Sequence, residues 1–174
     1  MKIPLLYGAY LALGNLMLNV VLYLFGVHDS VEGLQTAQMP VTFVSIALCS
    51  GAVVLAVREK RALTPAGMSW GFGSALGTGI LTIVVGAALT LATSYLYFAW
   101  VNPGLSELVL QMQLAQMAAN GLASTPESEE MMRRFSSPIG LSFAGAFMNF
   151  FLGSLVAVTA AIVFRTRPVG LQAD

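Results

Sequence analysis

Residues 70–100 read WGFGSALGTGILTIVVGAALTLATSYLYFAW, a run of apolar and small residues without a charged side chain. As a helix this run measures about 45 Å, at ~1.5 Å per residue. That length matches the ~40–45 Å thickness of a bilayer with its headgroup regions. A tryptophan stands at each end, as is typical of side chains at the two membrane interfaces. The stretch therefore predicts a transmembrane helix.

The composition of the whole chain agrees with a membrane protein. Of its 174 residues, 57% are hydrophobic and only 9% are charged, whereas a soluble domain has about 25% charged residues. So few charges could not cover a surface in water, and we expect one integral membrane domain over residues 1–174. The formal net charge is zero, so nucleic acid has no electrostatic reason to bind.

Three more apolar runs are long enough to cross a membrane, which takes about 20 helical residues. Together with the first, the predicted spans are about 3–27, 40–57, 72–100 and 139–164. These runs are too long for strands and lack a two-residue alternation, so the fold class is all-α, a polytopic membrane protein with four transmembrane helices. The first run is longer than the apolar region of a signal peptide and lacks a convincing cleavage site, which predicts a retained helix.

The distribution of basic residues predicts the orientation. Placing both termini in the cytoplasm puts most of the basic side chains there, as the positive-inside rule requires. Those side chains are Lys2, Arg58, Lys60, Arg61, Arg165 and Arg167. Arg133 and Arg134 then lie outside, in an insert at about 103–137. We therefore predict a multi-pass membrane protein with its N-terminus and C-terminus in the cytoplasm.

Small and amide side chains suggest how the helices pack, because helices in lipid associate through close contacts and interhelical hydrogen bonds. On the first span they share one face: Gly8, Ala12, Asn15, Asn19 and Gly26. On the fourth they are spaced four apart: Gly145, Asn149 and Gly153. We hypothesise that these two faces touch and that their amides bond each other. Gly73 and Gly77 form a GxxxG pattern, which we interpret as packing within the chain rather than as a dimer face.

The insert predicts an extracytoplasmic hairpin of two short helices. The first covers about residues 105–119 and ends at Asn120-Gly121, a typical C-terminal signal. The second starts at STPESEE, where Ser124 or Thr125 caps it and Pro126 suits its first turn. Glu129 and Glu130 stand four residues before Arg133 and Arg134, which favours two ion pairs.

The apolar side chains of the hairpin are candidates for docking a partner, because methionine is frequent at adaptable binding surfaces. They are Leu105, Leu108, Met112, Met117, Met131, Met132 and Phe135. One alternative is that the hairpin rests on its own bundle or in the headgroups. A lipid-binding helix is disfavoured, because such helices carry many basic residues and both arginines here have glutamate neighbours.

The residues offer little chemistry for catalysis. His28-Asp29-Ser30 are consecutive, whereas a catalytic triad converges in space, and a lone histidine cannot build a zinc site without further ligands. Cys49 is a lone cysteine in an apolar run, so we interpret it as a packing residue. We expect no enzyme, no cofactor and no metal. We predict an accessory or interaction protein with a membrane or periplasmic protein partner, or a homo-oligomer. The alternatives are an oligomeric channel or transporter around the asparagine-bearing helices, and a membrane enzyme acting on lipid.

Several stretches resemble one bacterial family. NPG after the third span, NGLASTPESEEMMRRFSSP before the fourth, and GSLVAVTAAIVFRTRP at the end are similar to the family called domain of unknown function 4199, as is WGFGSALGTG. The resemblance is clearest over about the C-terminal 60% of the chain and implies a four-helix protein of the bacterial cytoplasmic membrane. It implies no activity.

Overall fold

The computed structural model describes residues 2–65 and 68–165, and nearly all of this part of the chain is helical. In chain order the helices are α1 (Lys2–Leu24), a 3-10 turn (Val27–Asp29), α2 (Val31–Leu63), α3 (Phe72–Leu96), a π-helical turn (Tyr97–Val101), α4 (Leu105–Ala119), α5 (Pro126–Ser136) and α6 (Pro138–Phe164). Within these described residues, four helical segments are long and apolar enough to cross a membrane: Lys2–Leu24, Val31–Leu63, Phe72–Val101 and Pro138–Phe164. The all-α class and the four spans are confirmed.

The first two helices differ from the predicted spans at three of their ends, one of which is the end of α2 at Leu63 instead of residue 57. α1 ends at Leu24, because Gly26 adopts a left-handed conformation (φ 70°) that stops the helix. Gly26 therefore belongs to the turn and not to the packing face of the first helix. α2 begins at Val31 rather than near Pro40, since the Ser30 side chain accepts a hydrogen bond from Gly33 N (3.1 Å) and caps the helix. Pro40 lies inside α2.

α3 occupies the middle of the bundle. Its most extensive contacts are with α6 and α1, and it also packs against α2. α2 in turn contacts both α1 and α6. Over the described residues α1 and α6 make no extended contact with each other, so the predicted pairing of the first and fourth spans is wrong. These two helices lie on opposite sides of α3.

The start of α1, the end of α2, the start of α3 and the end of α6 lie at the same end of the bundle, which we call the basic end. There Trp70 Nε1 donates a hydrogen bond to Phe164 O (2.7 Å), and Tyr7 Oη donates to Glu59 Oε2 (2.6 Å). Arg61 stacks on the Phe164 ring at 5.8 Å, a favourable cation–π distance. Arg167 lies outside the described residues. The helical insert occupies the opposite end, which we call the insert end.

The insert folds as a hairpin of α4 and α5 that rests on the bundle. α4 contacts α2 and the 3-10 turn, while α5 contacts α4 and the start of α6. Thr125 caps α5 in a reciprocal pair of bonds with Ser128. Arg134 pairs with Glu130 (3.0 Å) as expected, but Arg133 lies 3.8 Å from Glu107 of α4. The second ion pair thus joins the two arms of the hairpin, rather than Arg133 and Glu129.

Candidate functional site

A cavity with a mixed polar and apolar lining lies between the helices, towards the insert end. Its volume is about 200 Å³. Its polar lining comes from all four spans: Asn15, Asn19, Ser45, Thr90, Ser94 and Asn149. The apolar lining is Leu18, Val41, Phe98, Leu141, Gly145, Met148 and Leu152. We call this space the asparagine cavity. It arises because the half of α2 nearer the insert end contributes no buried residue to the bundle, whereas Cys49 to Val57 on its other half do.

The three amides do not bond each other. Asn15 Nδ2 donates to Leu11 O (2.9 Å) and Asn19 Nδ2 donates to Asn15 O (3.0 Å), both within α1. Asn149 is buried on α6, and its side chain has no hydrogen-bond partner within residues 2–65 and 68–165. Only its backbone oxygen is engaged, by Cys49 Sγ at 3.6 Å. The predicted amide–amide bond is therefore absent, because the cavity separates α1 from α6.

The predicted packing glycines fall into two groups. A Cβ on Gly8 would come within 2.9 Å of the backbone of α3, and one on Gly153 would collide with Ile83 of the same helix. Ala12 is buried as well. By contrast, nothing lies within 4 Å of a Cβ built on Gly73, Gly77 or Gly145. The GxxxG pattern therefore does not pack within the described chain, contrary to our interpretation of the sequence.

A buried hydrogen-bond network at the insert end was missed in the sequence. Tyr97, in the π-helical turn, is 1% exposed; its hydroxyl donates to Asn19 O (3.1 Å) and lies 2.9 Å from His28 Nδ1. Because a hydroxyl has one proton and Asn19 O accepts it, His28 Nδ1 carries the hydrogen that bonds Tyr97. Burial lowers the pKa of the His28 imidazole, although Asp29 acts in the opposite direction. His28 is thus a buried hydrogen-bond donor in the 3-10 turn that follows α1.

An apolar groove runs from the hairpin onto the last span. It has a volume of about 550 Å³ and we call it the α5–α6 groove. Its lining residues are Met131, Arg134, Phe135, Ile139, Gly140, Phe143, Ala144 and Phe147. α6 follows α5 after a single residue, Ser137, whose side chain accepts a bond from Gly140 N (3.2 Å). This tight turn aligns the apolar face of α5 with the outer face of α6.

The comparison with protein families agrees with the resemblance seen in the sequence. A model of the family described as "Protein of unknown function (DUF4199)" matches residues 6–166, which is most of the chain. The chain belongs to the DUF4199 family. The comparisons with curated proteins and with solved structures found no match. In this DUF4199 protein, the asparagine cavity and the α5–α6 groove are the candidate functional sites.

The DUF4199 chain uses the predicted docking residues in different ways. Leu105 is 4% exposed and packs against Tyr97 and Phe98, so its assignment to a docking face is wrong. Four more are partly covered by the bundle or by the other arm of the hairpin: Leu108, Met112, Met117 and Met132. Met131 and Phe135 remain 56% and 62% exposed. The available apolar surface is thus on α5 and not on α4.

The described residues of this DUF4199 protein offer no candidate metal site. Within the part of the chain that the structure describes, no group of three His, Cys, Asp or Glu side chains could hold a metal ion. Cys49 is buried against α6 and free. The chemistry available in the described residues is therefore hydrogen bonding by amides and hydroxyls in the cavity, and apolar contact in the groove.

Proposed function

We propose that this protein is a non-catalytic accessory protein of the bacterial cytoplasmic membrane that binds the transmembrane helix of another membrane protein in the α5–α6 groove. The observation that carries the proposal is the uncovered apolar face of α5. Five large side chains of the groove are more than half exposed: Met131, Phe135, Ile139, Phe143 and Phe147. Met131 and Phe135 belong to α5, outside the candidate spans, where exposed apolar side chains in one patch are typical of interaction sites.

The position of the groove favours a protein over a lipid as its occupant. The groove starts on α5, which is too polar to lie in hydrocarbon, and continues along α6, which is a candidate span. The occupant must therefore be apolar beside α6, within the hydrocarbon, and also beside α5, outside it. A long transmembrane helix of a partner protein meets both conditions. Anionic headgroups are poorly matched, because Arg134 and Arg133 already face Glu130 and Glu107.

The charge distribution supports an orientation with the hairpin outside the cytoplasm. Lys2, Arg58, Lys60 and Arg61 belong to the ends of α1 and α2 that meet at the basic end. Arg133 and Arg134 are in the hairpin at the other end. Because lysine and arginine accumulate on the cytoplasmic side, we assign the basic end to the cytoplasm and the hairpin to the periplasm.

The orientation is tested by reporter fusions in cells. An alkaline phosphatase fused after Gly121, in the exposed turn between α4 and α5, is expected to be active, because this enzyme needs the oxidising periplasm. The same enzyme fused after Leu63, at the cytoplasmic end of α2, is the matched control and is expected to be inactive. An inactive fusion at Gly121 with an active one at Leu63 would invert the topology.

The docking proposal predicts a position-dependent photo-crosslink. With benzoylphenylalanine in place of Phe135 or Phe143, we expect a covalent adduct with one discrete membrane protein, mapped by mass spectrometry to a transmembrane segment of that protein. Met17 is the control, because it is 59% exposed on α1, which makes no extended contact with α6 in the described part of the chain. Crosslinks from Met17 are expected to go to lipid.

A second variant makes the test specific for the groove. Phe147→Ala removes one wall of the groove near its end within α6, so the partner adduct from Phe135 should decrease several-fold, as for a central interface aromatic. Equal partner yields from Met17 and Phe135, or adducts only with lipid or with a second copy of the chain, would contradict the proposal. The oligomeric channel has less support, since Asn15 and Asn149 are buried inside one chain.

A further inference from the structure

One threonine of α3 that lines the asparagine cavity differs from the other threonines of that helix in its hydrogen bonding. Of the four threonines of α3, Thr78, Thr82 and Thr93 each donate to the carbonyl four residues earlier. Thr90 is 3% exposed, and its Oγ1 has no hydrogen-bond partner within the described residues. A buried polar atom without a hydrogen-bond partner is unfavourable. The side chains of Thr90 and Asn149 line the same space.

The cavity opens to the bilayer beside Gly145. Gly145 and Met148 line the cavity and are also exposed on the outer surface of α6. Nothing lies within 4 Å of a Cβ built on Gly145, so no neighbouring side chain closes the cavity there. Because Gly145 is seven residues inside α6, about 10 Å along the helix, the opening faces hydrocarbon. The cavity thus has a polar interior with Thr90 and Asn149 and an apolar mouth.

We propose that the asparagine cavity binds the uncharged head of an amphiphile dissolved in the bilayer, a molecule with a hydroxyl or carbonyl group and an apolar tail. The head would satisfy Thr90 Oγ1 and the Asn149 amide, and the tail would leave past Gly145 and Met148. This site is separate from the α5–α6 groove, and the inference does not depend on the proposed function.

Charge and size restrict the ligand. No ionisable side chain lines the cavity, and an unpaired buried charge is strongly unfavourable, so carboxylates, phosphates and amines are excluded. The volume of about 200 Å³ is below the ~300–1,000 Å³ of sites that enclose a drug-sized molecule. The cavity can therefore take a hydroxyl or carbonyl with its first carbon atoms, but not a phospholipid headgroup.

The test uses two photoreactive probes with the purified full-length protein in lipid nanodiscs. One is a dodecanol derivative with a diazirine beside the hydroxyl-bearing carbon, and the other is the dodecane derivative with the same diazirine. Mass spectrometry of peptides locates the adducts. The alcohol is expected to label the segments around Asn15, Ser94 and Asn149, and the alkane to label only outer faces. Thr90→Val with Asn149→Leu should lower cavity labelling by about 25-fold, the effect of two lost hydrogen bonds at roughly fivefold each.

Gly145→Leu is expected to fold, because a Cβ at this position meets no atom within 4 Å. Its side chain is expected to fill the mouth of the cavity. It should reduce cavity labelling to background, whereas Gly73→Leu, at an exposed glycine of α3 with equal space, should leave it unchanged. Equal labelling by both probes, or labelling unaffected by Gly145→Leu, would overturn the proposal. A cavity that holds only water would also overturn it. In that case no cavity adducts form, and Thr90→Cys in a Cys49→Ala background reacts with a thiol reagent that requires a hydrated thiolate.

Discussion

Gly8→Leu is expected to lower the free energy of unfolding by about 3 kcal/mol or more, at the upper limit for overpacking a well-packed contact. A Cβ at Gly8 would lie 2.7 Å from Val85 Cγ1, 2.8 Å from Val85 Cβ and 2.9 Å from Gly86 N. A flexible side chain can rotate away from a new neighbour, but a backbone nitrogen in the middle of α3 moves only if the two helices separate. The measurement is the free energy of unfolding in bicelles, obtained by steric trapping.

Gly77→Leu is the matched control for this prediction. Gly77 is an exposed glycine of α3 with nothing within 4 Å of its Cβ position. Leucine there should be neutral or stabilising by up to ~1 kcal/mol, because glycine is a poor helix former. If Gly8→Leu changed stability no more than Gly77→Leu does, the close contact of α1 with α3 would be refuted.

The spans and the hairpin were predictable from the sequence because their signals are local. Apolar length identified the four spans, and the range 105–119 predicted for the first insert helix is that of α4. Thr125, Pro126 and the acidic first turn identified the start of α5. Each of these signals acts through the backbone of its own segment. None of them depends on which helix lies opposite.

The partners of the packing faces could not be predicted in this way. Gly8 and Asn149 mark faces that are covered, but a small residue does not indicate what covers it. The contacts that decide the pairing are made by α3, where Leu11 of α1 packs against Gly86 and Ala157 of α6 packs against Gly79. These two glycines are seven residues apart on α3. The predicted contact between the first and fourth spans did not involve either of them.

The cavity and the buried network depend on backbone details that have no sequence signal. The asparagine cavity exists because the half of α2 nearer the insert end contributes no buried residue to the bundle. The Tyr97 hydroxyl reaches Asn19 from a π-helical turn, in which Asn102 N bonds Tyr97 O (2.9 Å). Such a turn alters the direction of the following side chains. From the sequence, Tyr97 was one of several aromatic residues at an interface.

Tyr97→Ala is expected to be the second severe substitution, with a loss of ~3–5 kcal/mol in the free energy of unfolding, the usual cost of truncating a buried aromatic residue. The ring is 1% exposed and packs edge-on against Phe98 at 5.4 Å. Tyr97→Phe keeps the ring and leaves His28 Nδ1 and Asn19 O without their common partner, so its cost should be about 1–3 kcal/mol. The difference between the two variants measures the packing of the ring.

Tyr95 supplies the matched control, because it lies two residues earlier and is 43% exposed. Tyr95→Phe should leave stability unchanged, within the ±0.5 kcal/mol typical of surface substitutions. A double-mutant cycle of Tyr97→Phe with His28→Ala isolates the hydrogen bond between the two residues, for which a coupling of about 0.5–3 kcal/mol is expected. A coupling near zero, with Tyr97→Phe as mild as Tyr95→Phe, would show that Tyr97 stabilises the insert end through its ring alone. His28 would then contribute to the fold as a buried side chain and not as a donor.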